Sequence, residues 1–331
     1  MIITKPAYFD TFRCIASACP DSCCKEWAVQ VDDEAARYYR ALPGPLGDRL
    51  RQVLTEEDGE TVMQIEDGRC PLWRADGLCR IQAELGEGAL CATCRDFPRL
   101  RHDYGDFAEL GLELSCPEAA RILLTAPAGP WIPEEVPGGS QPDYDAEAMA
   151  VLKATREEML AILADESRSV NTALALGLLY GCQAQAELDG AEALPFDPAA
   201  ALAEARELAA GAQPEPVLPF FAGLEILTED WARILRAPAP GGWEEAYRNL
   251  ARYFVERYWL QAVSDYDLYS RVKFMVISCL AIREAGGDLQ RTAQLYSKEI
   301  ENDADNVDAL LDAAYTHPAF TDDKLLAALL R

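Results

Sequence analysis

The sequence predicts a mainly α protein in two parts, an irregular cysteine-rich α+β domain followed by an α-helical bundle. Three observations carry that expectation. Nine of the eleven cysteines fall early, at 14, 19, 23, 24, 70, 79, 91, 94 and 116. Residues 126–145, APAGPWIPEEVPGGSQPDYD, are rich in Pro and Gly, which interrupt both helix and sheet, and they read as a linker. Beyond them, apolar residues recur three and four positions apart. The expected division is a metal- or cluster-binding domain over 1–125, a linker over 126–145 and helices over 146–331.

In the first part, strand-like runs lie at Trp27–Val31, Thr61–Ile65 and Phe107–Leu114, with helices near Asp33–Arg40 and Leu78–Leu85 and loop elsewhere. In the second, VLKATREEMLAIL, TALALGLLYGCQAQAEL, DPAAALAEARELA, GLEILTEDWARIL, WEEAYRNLARYFVERYWLQAV, YSRVKFMVISCLAIREA and DNVDALLDAAY all carry the helical period. Asp197 before Pro198 is a cap and first helical residue, and Gly286-Gly287 is a stop. Trp243, Tyr247, Tyr253, Phe254, Tyr258, Trp259, Tyr266 and Tyr269 form an aromatic stripe, which reads as core rather than as a groove for a peptide or adenine. Asp265, Asp267 and Asp312 read as solvated or capping residues, and Cys182 and Cys279 as isolated thiols in apolar helices.

Thirty Lys and Arg against fifty-six Asp and Glu leave a net charge of −26, which repels phosphate backbones and anionic membranes. Nucleic acid is thereby set aside as a partner, whereas a lysine-bearing protein would be attracted. No apolar stretch approaches the roughly eighteen residues of a membrane span. The start, MIITKPAYFDTF, lacks the basic end, apolar run and cleavage site of an exported chain, so a cytoplasmic protein with reduced thiols is expected. Sequence alone leaves the oligomeric state open.

The thiols are grouped. Cys14, Cys19, Cys23 and Cys24 lie within one loop's reach, which lowers the ordering cost of a metal site. Cys23 and Cys24 are adjacent, with Cα atoms about 3.8 Å apart, too close for an unstrained disulfide, so they serve different roles. Cys70, Cys79, Cys91, Cys94 and Cys116 follow, and the Cys91-x2-Cys94 spacing lets two sulfurs face one centre. Ligation by thiolates alone suits zinc or an iron–sulfur cluster and excludes magnesium and calcium. A first set of Cys19, Cys23, Cys79 and Cys94 is preferred, with Cys14, Cys24, Cys70, Cys91 and Cys116 as a second set or alternates. His102 and His317 have no partner at ligand spacing; His102 is the nearer candidate because it follows Cys94 closely.

The strings CIASACPDSCCKEW, GRCPLWRADGLCRIQ, LCATCRDFPR and SCPEAARILL resemble the cysteine-rich domain of the flagellin lysine N-methylase family, and more distantly a widespread zinc- or iron-chelating domain. The later run YSKEIENDADNVDALLDAAY is similar to the end of the methylases. The resemblance implies transfer of methyl groups from S-adenosylmethionine to lysine ε-amines of flagellin, and an iron–sulfur cluster, of the 4Fe–4S type, in the N-terminal domain. No Gly-rich loop follows a strand in the manner of Rossmann-like methyltransferases. The Cys-x3-Cys-x2-Cys pattern of radical enzymes is met by Cys19 and Cys23 but broken by Glu26.

Lysine methylation needs a neutral amine, hence desolvation or a base. Tyr8, Phe9, Glu26, Trp27, Trp73, Asp96, Phe97 and Glu118 lie beside the cysteines and are candidates to line such a pocket, with Arg95 or Arg99 steadying a carboxylate; for each of them packing is the competing explanation. Two readings from different classes follow: a protein-lysine methyltransferase, and a non-catalytic cysteine-ligated metal protein that acts as an interaction module.

Overall fold

The computed structural model describes residues 1–57 and 59–331. In chain order its elements are β1 (Ile2–Pro6), β2 (Val29–Gln30), α1 (Asp33–Ala41), α2 (Gly44–Val53), β3 (Leu54–Glu57), β4 (Glu60–Met63), α3 (Arg80–Leu85), α4 (Ala92–Asp96), β5 (Arg99–Asp103), β6 (Phe107–Leu112), α5 (Pro117–Thr125) and β7 (Trp131–Glu135). The helical part comprises α6 (Ala146–Ala164), α7 (Val170–Leu188), α8 (Pro198–Gly211), α9 (Leu218–Phe221), α10 (Glu229–Arg236), α11 (Ala246–Tyr258), α12 (Leu268–Ala285), α13 (Leu289–Tyr296), α14 (Ala304–Thr316) and α15 (Asp322–Leu330). The chain is mainly α with a small α+β region at its start, as expected. No helix among the described residues is long and apolar enough to cross a membrane.

Two sheets organise the first part. One has the order β5-β6-β1-β7, with β1 parallel to β6 (Ile2 opposite Phe107) and antiparallel to β7 (Ile3 opposite Glu134); the other has the order β2-β4-β3. The segment 126–145 thus carries a strand. β7 tolerates Pro133 because it lies at the sheet edge, where a missing N–H costs no ladder bond. The small sheet packs with α1 and α2 around a core of its own, in which Tyr39, Leu50 and Leu72 are fully buried and to which Cys70 and Cys91 belong. A larger core joins the first sheet and α5 to the helices, uniting Phe12, Leu112 and Ala119 with Leu174, Trp231, Phe254 and Phe320.

Among the described residues, side-chain caps set the starts of seven α-helices. The Asp197 side chain accepts from the amides of Ala199 and Ala200, and Asp145, Asp267 and Asp303 act similarly at α6, α12 and α14. One helix expected from periodicity is shorter than its apolar pattern: within GLEILTEDWARIL, α10 begins only at Glu229, because Thr228 caps it and the preceding residues give their amides to Glu299. Gly286 ends α12 at φ +70°, and a Cβ there would lie 1.7 Å from the Ala239 carbonyl oxygen. Gly286→Ala is therefore expected to cost about 2–3 kcal/mol through backbone strain, read as a lowered urea midpoint with an unchanged slope.

Candidate metal centre and adjoining cavity

Each cysteine stretch is placed by its own local structure. Cys14 and Cys19 flank the 3₁₀ turn Ala16–Ala18, and Cys14 Sγ accepts from the Ala16 amide at 3.4 Å. Cys24 and Cys70 are pinned together by a 2.7 Å bond from the Cys70 amide to the Cys24 carbonyl, which brings the two distant stretches into register. Cys79, Cys91 and Cys116 occupy the residue before α3, α4 and α5, where first-turn amides point at the sulfur and favour its thiolate.

Electrostatic interactions group the thiols into two overlapping sets. Cys70 Sγ donates to Met63 Sδ at 3.4 Å, and the proximity of Cys23 and Cys70 to Cys24 raises their own thiols and holds that of Cys24 well below the usual range, as that of Cys94 does for Cys91. Cys79 lies within the field of Cys24 and Cys91, and Cys94 within that of Cys24 and Cys23. The second of these sets holds Cys14, Cys19 and Cys116, with Cys23 reaching into it; burial pushes the Cys116 thiol up to about 11. This grouping cuts across the sequence preference, since Cys19 keeps company with Cys14 and Cys116 while Cys79 and Cys94 surround Cys24. Cys182 and Cys279 lie apart in α7 and α12. All eleven cysteines are free of disulfides.

Among the described residues no three Cys, His, Asp or Glu side chains are already closed on one point as a bound ion would hold them. The donor set is nevertheless chemically uniform. Nine sulfurs, seven of them partly or fully withdrawn from water and several supported by backbone amides, fit a thiophilic metal or cluster and no hard cation. His102 stands away from them on β5, against Arg257 and Glu109, with its imidazole held below the usual value by burial. His317 packs on Phe220 and Phe320 and caps a turn through the Ala319 amide.

A cavity of about 360 Å³ opens beside Cys23 and Cys94. Trp27 and Phe97, with ring centroids 6.2 Å apart, line it together with Glu113, Lys298, Glu299 and Asp303. Of the residues singled out in the sequence, Trp27 and Phe97 line this cavity. Trp73 is instead covered by Arg69 and Lys25, Phe9 belongs to the main core, and Tyr8 donates to Glu256 at 3.0 Å. Glu118 pairs with Arg121 and Asp96 with Arg95, while Arg99 lies over Phe12. Glu26 reaches the cavity wall through a 2.6 Å ion pair with Lys298.

Sequence reasoning missed the helical side of the site. After α13 the chain makes a π-helical turn, Ser297–Glu301, whose residues are all buried. Such turns recur at functional sites because the extra residue re-aims side chains. Lys298, only 1% exposed, lies 3.3 Å from Asp21 and 4.8 Å above the Trp27 ring; Arg291 and Gln294 from α13 also reach Asp21. Asp21 sits between Cys19 and Cys23, so this clamp fixes the first cysteine loop to the helical part. Glu301 accepts from the hydroxyls of Tyr253 and Tyr258, and Glu113 is pushed up by burial with Arg257 opposing. The available signal was the charged run SKEIEND inside the resemblance noted for the end of the chain.

Over 132 residues the chain is 35% identical to the flagellar biosynthetic protein FliU of Salmonella muenchen, a match covering 38% of this chain and 78% of that protein. Over the same length it is 35% identical to lysine-N-methylases of Salmonella typhimurium and Salmonella choleraesuis, again 38% of this chain but 33% of each of theirs. No family model and no solved structure matches the chain.

Proposed function

Because the chain belongs to the flagellin lysine N-methylase family, we propose that it methylates lysine ε-amines on flagellin, in the cavity between Trp27, Phe97 and Glu113. The observation that carries this reading is an aromatic and acidic cavity opening directly beside two cysteines of a nine-thiol set. The alkyl chain of a lysine can lie against the face these two rings present to the cavity, and the net charge of −26 favours the approach of a cationic substrate segment.

The residues also address protonation. Lys298 lines the same cavity but is already paired with Glu26 and Asp21, so withdrawal of the substrate amine from water is what favours its neutral form. Glu113, held above the ordinary carboxyl range by burial, is the acceptor for the released proton. S-Adenosylmethionine, implied by resemblance, supplies the methyl group when bound; no residue set is assigned to it. Cys24, Cys70, Cys79, Cys91 and Cys94 would hold an iron–sulfur cluster or zinc, with Cys14, Cys19, Cys23 and Cys116 as the adjoining set, and the metal would order the cavity wall or exchange electrons there.

Anaerobically purified protein incubated with methyl-labelled S-adenosylmethionine and flagellin is expected to label lysines, and bound metal should appear on elemental analysis, with visible absorption if it is iron–sulfur. The double substitution Cys24→Ser and Cys94→Ser should remove that metal. Retained metal in the double variant would dismiss the ligand set. Metal-replete protein that leaves every flagellin lysine unlabelled would instead favour an interaction module.

A further inference from the structure

A second cavity, about 910 Å³, lies between α6, α11 and the 127–131 segment and shares no lining residue with the thiol cavity. Its size falls in the range of small-molecule sites. Leu124, Leu160, Leu163, Pro130 and the ring of Trp131 give it apolar walls, and three arginines line it, each less than a tenth exposed. Two of the three have their terminal nitrogens engaged, Arg156 keeping a single partnerless Nε. Arg156 forks onto Glu109 at 2.7 and 2.8 Å, and Arg248 bonds the Leu163 and Arg168 carbonyls and Glu245.

Arg252 differs. Its Nη2 donates to the Ala126 carbonyl at 3.0 Å, but Nε and Nη1 have no hydrogen-bond partner, and the nearest Glu256 oxygen is 3.7 Å away. Glu256 accepts the Tyr8 hydroxyl on Oε2 and turns Oε1 toward Arg252, an ion pair without a hydrogen bond. Buried donors are seldom left unmet, and a guanidinium is built to receive a two-oxygen group. We propose that this cavity binds a small monocarboxylate with an apolar or aromatic body. The carboxylate is received by Arg252, and the body lies along Leu160, Leu163 and Trp131. Glu157, Glu166 and Glu245 also line the cavity, so a doubly charged phosphate meets more repulsion than a single carboxylate. The site is independent of the methylation reading, since it uses none of the same residues.

Calorimetric titration of the full chain with phenylpropionate, its neutral amide and inorganic phosphate tests this. The acid is expected to bind, the amide and phosphate at least about tenfold more weakly, and Arg252→Gln to weaken the acid by about tenfold or more, as for loss of a charge-assisted hydrogen bond. Ala161→Trp places a large side chain into the cavity from an exposed position on α6, leaves Arg252 intact, and should abolish binding even if Arg252→Gln does not fold. No binding of the acid overturns the proposal. So does equal binding of amide or phosphate, or binding that survives Ala161→Trp.

Discussion

Replacing Lys298 with methionine is expected to lower the unfolding free energy by about 3 kcal/mol, at the lower end of the range for breaking a buried ion pair. The ammonium is 2.6 Å from Glu26 and 3.3 Å from Asp21, with almost no access to water. Without it two carboxylates lose their nearest cation. The full penalty is not expected, because Asp21 keeps Arg291 and Gln294, and Glu26 is one-third exposed and can turn to solvent. Lys298→Arg keeps the charge but must fit a larger planar group, and should fall between the two.

A pH signature separates loss of the ion pair from loss of packing. Burial pushes the Asp21 carboxyl up, but Lys298, the Ser22 amide and Arg291 outweigh it, so the group ends below its ordinary 3.8. A carboxylate depressed on folding contributes stability above its unfolded value and loses it as pH falls through the folded one. The native protein should therefore lose this contribution below about pH 4, and Lys298→Met should show a shallower acid slope. A second readout is alkylation of Cys23 in metal-free protein, which should accelerate once the loop is no longer clamped. If alkylation and acid slope both match the parent, the clamp does not hold the loop.

The same residues show where sequence reading reached its limit. Nine cysteines led to the expectation of a thiol centre because no other common role gathers them at that density, and several of them interact electrostatically in the fold. Their pairing was illegible, since it depends on one backbone bond between Cys70 and Cys24 and on three helix starts that place sulfurs over amides. The helices of the second part were legible from the three-and-four period, which follows from burying one face. That same logic hid Lys298, Glu299 and Glu301: a charged residue in a helix reads as solvent-facing, whereas a π-helical turn here carries all three inside. β7 was hidden likewise, because Pro and Gly signal a connection and only the edge position beside β1 allows a strand there.

Arg257→Met is expected to be the most damaging change in the bundle, costing about 3–5 kcal/mol. Its guanidinium lies 2.6 Å from the Tyr253 hydroxyl and 3.4 Å from Glu301, whose side chain has no exposure and also accepts from Tyr258 at 2.8 Å. Removing the cation leaves a buried carboxylate held only by two phenols, beside a second, half-buried carboxyl at Glu113. Because much of the cost is that of an orphaned charge rather than of a lost attraction, removing both partners should cost less than the two single losses added together. The double variant Arg257→Met with Glu301→Met should recover about 2 kcal/mol relative to the sum of the two single losses, measured by urea unfolding. Strict additivity would mean that the pair is not coupled. Glu113 supplies an independent check. Its carboxyl is already raised from 4.5, chiefly by burial, with Arg257 opposing. A carboxyl raised on folding favours the folded state at low pH and loses that advantage as pH rises through its folded value. With Arg257 gone the rise grows, so the variant should approach the parent's stability in acid and fall furthest behind it toward neutral pH.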